Sequence, residues 1–197
     1  KITNCKWITY LSATSVYGDH KGEWVNENSN TKPTSSNGST RLAAENTWKK
    51  LSNKNKYPLQ IFRLAGIYSN EFNILKRLQS GKLQIVDKKD HFFSRIHVED
   101  IANILTKSLD NFKNNEIYNI CDDKPASQSD VAAYGAKLLK LEKPSTVKLE
   151  KVESEMMKNF YKDSKKVDNK KMKAFFKYKL KFPTYVEGLD YIFNNNL

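Results

Sequence analysis

The chain is poor in the residues that break or staple a fold: 7 glycines, 5 prolines and 2 cysteines in 197 residues. So little Gly and Pro excludes collagen-like and low-complexity chains. Cys5 and Cys121 cannot build a disulfide framework or, by themselves, a four-ligand zinc site. Both lie in apolar, strand-like runs, where a thiol packs as a small buried hydrophobe. No run approaches 18 uninterrupted apolar residues, which excludes a membrane-spanning helix. Lys1 to Tyr10 also lack the apolar core and small-residue cleavage site of a signal peptide. A reducing cytoplasm is the expected location. What is present, 39% apolar residues over this length, suffices for one domain with a core.

Acidic residues are few against basic ones, and the formal net charge is +12. Such a field attracts phosphates. The lysines are scattered among asparagines, however, as in Asn53–Lys54–Asn55–Lys56, Lys113–Asn114–Asn115 and Asn169–Lys170–Lys171. No zinc-finger spacing, aromatic RNA-binding signature or basic zipper accompanies them. A solvated basic surface is the simpler reading, and a nucleic-acid-binding protein stays a third, weaker alternative. Lys158 to Lys181 is the densest stretch, interleaved with Phe160, Tyr161, Phe175, Phe176 and Tyr178. It reads as a surface helix with one apolar face. Asp19, His20 and Glu23 sit in a polar loop without a second histidine, so no metal site is expected.

Strand-like and helix-like patterns alternate along the chain. Trp7 to Leu11 reads as a buried strand followed by a Ser12–Gly18 loop, and Gly22 to Gly38 as a long loop. Leu42 to Lys50 reads as a helix, and Leu59 to Leu64 as a second strand ending at Gly66. A helix from Phe72 to Leu78, short strands at Lys82–Val86 and Phe92–Val98, and a helix from Glu99 to Leu109 follow. Then come a strand at Ile117–Cys121, a helix opening at Ser127 or Ser129 and running to Leu141, a strand over Val147–Val152, and a last helix from Pro183 toward Phe193. This is an α/β chain.

Five segments in one order carry a resemblance. Tyr10-Leu11-Ser12-Ala13-Thr14-Ser15-Val16-Tyr17-Gly18 resembles the strand and loop Ser-Ser-x-x-Val-Tyr-Gly of extended short-chain dehydrogenases/reductases, the nucleoside-diphosphate-sugar epimerase and dehydratase group. Glu27, Pro33 and Glu45 fall where that family has its Glu–Pro loop and the glutamate of its active-site helix. Ile61 to Tyr68 resembles its Arg-x-x-x-x-Tyr-Gly-Pro strand, Ser94 to Ala102 its His-Val-x-Asp-x-Ala, and Ile117 to Asp122 its Tyr-Asn-Ile-Gly. Asp163 to Asn169 and Phe182 to Leu189 are similar to an atypical branch that also has Ser-Arg-Ile-His. The resemblance implies an α/β fold: the C-terminal part of a Rossmann-like parallel sheet plus a small α/β substrate-binding lobe. Residues 1–70 would supply the strand, active-site loop and helix of the sheet domain. Residues 71–197 would be mostly lobe, with 92–121 partly returning to the sheet.

The departures from that pattern fall on the chemistry. The Gly-x-x-Gly-x-x-Gly turn whose N–H groups hold a dinucleotide pyrophosphate does not occur in these residues. The expectation is a chain lacking the family's first third, about 80–100 residues. Ala13 stands where the family has Ser or Thr, and Asn37-Gly38-Ser39-Thr40-Arg41 stands at its Tyr-x-x-x-Lys. Asn37 cannot exchange a proton near neutral pH, and Arg41 keeps its charge but not an ammonium's geometry. Phe93 occupies the place of an arginine that meets diphosphate, with Arg95 two residues on, on the same strand face.

The resemblance implies NAD or NADP as cofactor in the full-length form and a nucleotide-sugar-like small molecule as substrate. The triad positions or their neighbours are Ser12, Thr14, Asn37 and Arg41. Cofactor contacts are expected at Arg41, Tyr17, Ala65 and Gly66, and substrate contacts at Arg95 and His97. A core histidine is the plainer reading of His97, and a strand-end structural charge that of Arg63. An open strand edge at Trp7–Leu11 would favour a homodimer. The alternative function is a catalytically silent NAD(P)-binding sensor or scaffold.

Overall fold

Leu59–Leu64 (β3) is an uninterrupted run of strand-forming residues, and all six of its side chains are buried. In the computed structural model, which describes residues 4–81, 83–86, 88 and 90–196, this strand is the middle of a three-stranded parallel sheet. It lies between β1 (Ile8–Ala13), registered Ile8 to Leu59, and a strand at Glu116–Ile120, registered Gln60 to Glu116. A central parallel strand is covered on both faces, which is why it reads as continuous apolar sequence. β1 pairs on one side only among the described residues, and its Leu11 is 37% exposed.

Three further parallel pairs surround this sheet. β2 (Trp24–Val25) pairs with a strand at Lys166–Val167, β4 (Gly66–Tyr68) with β6 (Arg95–His97), and β5 (Ile85–Val86) with β8 (Thr146–Val147). The sheet strand Glu116–Ile120 is therefore β7 and Lys166–Val167 is β9. The helices are α1 (Ser36–Asn55), α2 (Ile74–Gln79), α3 (Val98–Asp110), α4 (Gln128–Leu138), α5 (Glu155–Phe160), α6 (Lys170–Phe176) and α7 (Tyr185–Asn196). Lys82, the first residue of the strand expected over 82–86, lies outside the described residues.

α1 is twice the length that the apolar spacing predicts. It starts at Ser36 because the Ser35 hydroxyl accepts the Gly38 N–H at 3.1 Å, capping the first turn. Gly38 is required there: a Cβ would come within 2.7 Å of the Ser15 carbonyl. That close approach presses the first turn of α1 against the 3-10 turn Thr14–Tyr17, which follows β1. The segment Lys158–Lys181 is not one surface helix. It contains the end of α5, the strand β9 and α6, because Lys166 N–H donates to Glu23 O and Asp168 N–H to Val25 O across the whole chain. Val147–Val152 likewise holds only the end of β8 and a 3-10 turn at Leu149–Lys151.

Among the described residues two large apolar clusters result, beside a smaller one of Val86, Val152 and Tyr161. One joins the sheet to α3 and α6 through Phe62, Ile104, Tyr118, Ile120, Met172 and Phe176. The other is the lobe, where Leu75 and Leu78 of α2 meet Val131 and Ala136 of α4 and Leu189 and Ile192 of α7. α6 thus packs on the sheet although it lies far beyond residue 70. Among the described residues no helix is long and apolar enough to cross a membrane.

Candidate active site

A cleft of about 1320 Å³ opens at the C-terminal ends of β1 and β3, between the first turns of α1 and the lobe helix α2. Ligands of open parallel α/β sheets bind in this place, outside the carboxyl ends of the strands. One wall carries Ala13, Thr14, Asn37 and Arg41. Asn37 and Arg41 are one helical turn apart on α1, so they share that face. Arg41 is exposed, and its Nη1 donates to Leu11 O at 3.3 Å and to the Tyr10 hydroxyl at 3.5 Å. The opposite side carries Gly66, Arg95 and the aromatic rings of Phe72, Phe93 and Phe160. Phe72 is 81% exposed, and Phe93 stacks on Phe160 with ring centroids 4.2 Å apart. Of these rings, Phe72 and Phe160 are assigned no place at a site by the sequence.

Four of the residues expected at the site lie elsewhere, for clear reasons. Ser12 is buried and donates to Glu45 Oε1 at 2.6 Å. Glu45 also receives Arg63 through a two-pronged pair at 3.0 and 2.8 Å. Burial alone would pull the Arg63 guanidinium down, but the Glu45 hydrogen bond, with Tyr17 and the Glu45 charge, more than offsets it, leaving it above its usual value. Tyr17 is fully buried under the Arg63 guanidinium, 4.8 Å from its ring centre, and its hydroxyl donates to Asn119 Oδ1 at 2.7 Å. Burial pushes the phenol above its ordinary range, so it holds its proton at neutral pH. His97 is buried against Tyr68 and Phe182, and its Nδ1 accepts the Glu99 N–H at 3.2 Å as the cap of α3. Ala65 is also buried, its N–H bonded to Ile120 O.

Arg95 does reach the cleft, but its guanidinium is already committed. It donates to Phe93 O at 2.9 Å, Ala126 O at 3.0 Å and Gln128 Oε1 at 3.0 Å. Burial lowers its pKa from the usual arginine value. Thr14, Asn37, Arg41 and Gly66 are thus brought together with Arg95 in one cleft, while Ser12, Tyr17, Ala65 and His97 are part of the packing behind it. Lys165, to which no role is assigned from its motif, also lines the cleft. Among the described residues no group of three or more His, Cys, Asp or Glu side chains is placed to hold a metal ion.

The parallel sheet, its cleft and the chain order of these elements define a Rossmann-like α/β protein. Residues 1–121 match the model of the NAD dependent epimerase/dehydratase family, and the chain belongs to that family. It is 30% identical over 142 residues to Protein YeeZ of Escherichia coli (strain K12), an alignment covering 70% of this chain and 47% of that protein. The solved structure of a functionally unknown conserved protein from Silicibacter pomeroyi superposes with a TM-score of 0.90 at 40% identity, over 95% of this chain and 66% of that one. The dTDP-glucose 4,6-dehydratase of Bacillus anthracis, solved in complex with NAD, superposes with a TM-score of 0.78 at 18% identity, over 94% of this chain and 60% of that one, a likeness of fold alone. The chain therefore spans about half the length of the curated relative and just under two thirds of the first of these solved structures.

Proposed function

We propose that the full-length protein is an NAD(P)-dependent epimerase/dehydratase-like enzyme for a nucleotide-sugar-like substrate, and that this chain carries the substrate side of its site. The carrying observation is the wall made by Ala13, Asn37 and Arg41, with Tyr17 turned into the interior behind it. The residues present fit one end of a dinucleotide. Arg41 stands exposed at the cleft wall as a fixed cation for a nicotinamide ribose or its neighbouring phosphate. When bound, the cofactor supplies hydride transfer. Among the described residues, that wall supplies hydrogen bonds from Thr14 and Asn37 and charge from Arg41, but no tyrosine lines it to exchange a proton. General acid–base help of that kind is worth about 10²–10⁴-fold, so turnover is expected to be very slow.

A second reading follows from the same wall: a protein that binds NAD(P) without turnover and acts as a sensor or scaffold. The two separate in the rate of nicotinamide absorbance change over a panel of nucleotide sugars, measured on the longest natural form of the protein. The variant combining Ala13→Ser, Asn37→Tyr and Arg41→Lys should raise a weak activity by a factor of about 10² or more. Family-like rates in the unmodified protein would show that the wall is not catalytically impaired. Cofactor binding without turnover in either form would favour the sensor. Cytoplasmic location and self-association through the β1 edge complete the proposal, and sedimentation at increasing concentration tests the latter.

A further inference from the structure

The cleft wall beside Ala13 and Asn37 is completed by a segment from the far end of the chain. Ser164 accepts backbone N–H groups from His20 at 3.1 Å and Gly22 at 2.9 Å through its carbonyl. Its hydroxyl accepts from Phe92 N–H at 3.0 Å. Two residues on, Lys166 N–H donates to Glu23 O at 2.9 Å, and Val167 N–H to the Ser94 hydroxyl at 3.0 Å. Lys165 lies between these clamps, so its backbone is fixed on both sides. Its side chain is buried, only 8% of the residue being exposed, and it lines the cleft.

The Lys165 ammonium is tied to both segments that form the cleft wall. Nζ donates to Gly18 O at 2.9 Å, closing the turn that begins at Thr14. It lies 3.5 Å from Asp163 Oδ2, and Asp163 in turn accepts from the hydroxyl of Thr34, just before the cap of α1. An ammonium has three protons to place. Among the described residues it meets two acceptors, the second at the limit of hydrogen-bonding distance. Burying a cation so sparsely paired is costly. Burial accordingly pulls the Lys165 pKa down, against the opposing pull of Asp163 and Asp19. The other cations of the cleft differ from it: Arg95 is engaged by three acceptors, Lys76 pairs with Glu71 at 2.8 Å, and Arg41 and Arg77 are exposed to water.

We propose that Lys165 is a ligand-binding residue whose remaining N–H donates to an anionic oxygen, of a phosphate or a carboxylate, on the molecule bound against Ala13 and Asn37. The assignment rests on the reading of this cleft as the substrate site and adds the group that anchors the substrate there. A held, largely desolvated donor of this kind gains more from an anion than an exposed lysine does, because less water and less side-chain freedom have to be given up on binding.

Inorganic pyrophosphate and D-glucuronate are the probes, one for each source of the anionic oxygen. The chain is titrated with each by calorimetry, as wild type, Lys165→Met and Lys165→Arg. At least one probe should bind, Lys165→Met should weaken it about tenfold, and Lys165→Arg should recover most of that loss. Which probe responds identifies the source. A second measurement needs only the unmodified chain: limiting acetylation followed by mass spectrometry. Lys165 should be acetylated in the free chain and protected by the responding probe, while Lys76 is not protected. Failure of both probes to bind, equal binding by Lys165→Met, or an unreactive or unprotected Lys165 each overturns the assignment. UDP-glucose in a third arm separates the two proposals. Lys165-dependent anion binding without UDP-glucose binding sinks the nucleotide-sugar reading alone, and UDP-glucose binding indifferent to Lys165→Met sinks this one alone.

Discussion

Six residues that match the family pattern and four that depart from it occupy two different regions of the molecule. Tyr17, Glu45, Arg63, His97, Asp100 and Asn119 match, and none is more than 3% exposed. Ala13, Asn37, Arg41 and Phe93 depart, and all four line the cleft. The matching set forms buried hydrogen-bonded groups that hold elements to one another. Glu45 joins α1 to β1 and β3 through Ser12 and Arg63, and Asp100 holds the 178–182 segment through Tyr178, Lys181 and Phe182. Much of what looks like a functional signature in this sequence is thus the framework of the fold, and the chemistry is decided by positions that the framework leaves open. Tyr68 sits on the border: it lines the cleft, but its hydroxyl is pressed under Gly188.

The largest expected effect comes from opening the framework at Glu45. Glu45→Ala leaves the buried Arg63 guanidinium without its carboxylate and the Ser12 hydroxyl without its acceptor. Removing one partner of a buried ion pair typically costs about 3–5 kcal/mol. Urea unfolding should show that loss with an unchanged slope. A loss below about 1 kcal/mol would mean the interior network is not what holds α1 to the sheet.

At the border, Gly188→Ala places a methyl 2.0 Å from the Tyr68 hydroxyl oxygen and 2.7 Å from its ring. Overpacking of this kind costs about 1–3 kcal/mol. Tyr68→Phe combined with Gly188→Ala should recover part of the loss, which a double-mutant cycle measures. No recovery would place the strain elsewhere than at that hydroxyl.

The interior set also predicts a pH dependence that the cleft set does not. Burial holds His97 below its ordinary range, and His91, a further buried histidine whose Nε2 lies 3.0 Å from Tyr161 O, down to about 4. Both are neutral in the folded protein and gain protons more readily when unfolded. Their contribution is therefore present above the unfolded value near 6.5 and is lost as pH falls toward 4. The loss amounts to at most about 1.4 kcal/mol per pH unit for each histidine. His97→Asn, which can still accept the Glu99 N–H as a cap, should flatten the slope of unfolding free energy between pH 6.5 and 5. An unchanged slope would remove His97 from the acid-sensitive interior.

What the sequence shows of this arrangement depends on how local each feature is. β3 is legible from end to end, since a buried parallel strand is a continuous apolar run. α3 is read to within a residue at each end, because its apolar face and its acidic first turn are both local. The start of α1 is not legible by periodicity, because its first turns are polar and face the cleft, and its cap depends on Ser35 and Gly38. Lys158–Lys181 is misread because β9 exists only through pairing with β2, some 140 residues earlier. The site is legible in the same measure. Asn37 and Arg41 follow from motif spacing. The burial of Ser12, Tyr17 and His97 does not, because each is set by a partner distant in sequence. Lys165 reaches the cleft through those same distant contacts.

The smallest effect on stability is expected on the cleft wall itself. Asn37 and Arg41 are exposed, and Arg41 makes only two long contacts, at 3.3 and 3.5 Å, both to groups that water can satisfy in its absence. Substitutions at such positions usually stay within about 0.5 kcal/mol of wild type. Asn37→Ala should gain slightly from better helix propensity, by a few tenths of a kcal/mol, since Asn37 is not the capping residue of α1. Arg41→Ala should be close to neutral for the same reason, its lost contacts being offset by the propensity of alanine. Urea unfolding of both variants beside Glu45→Ala then gives a direct contrast on one helix. Each substitution removes a polar group from α1, yet only the one facing the sheet should move the midpoint strongly. If Arg41→Ala instead destabilises by more than about 1 kcal/mol, the guanidinium is a structural tie between α1 and β1. Arg41 would then join the framework, and the division between a closed interior and an open cleft wall would have to be redrawn around it.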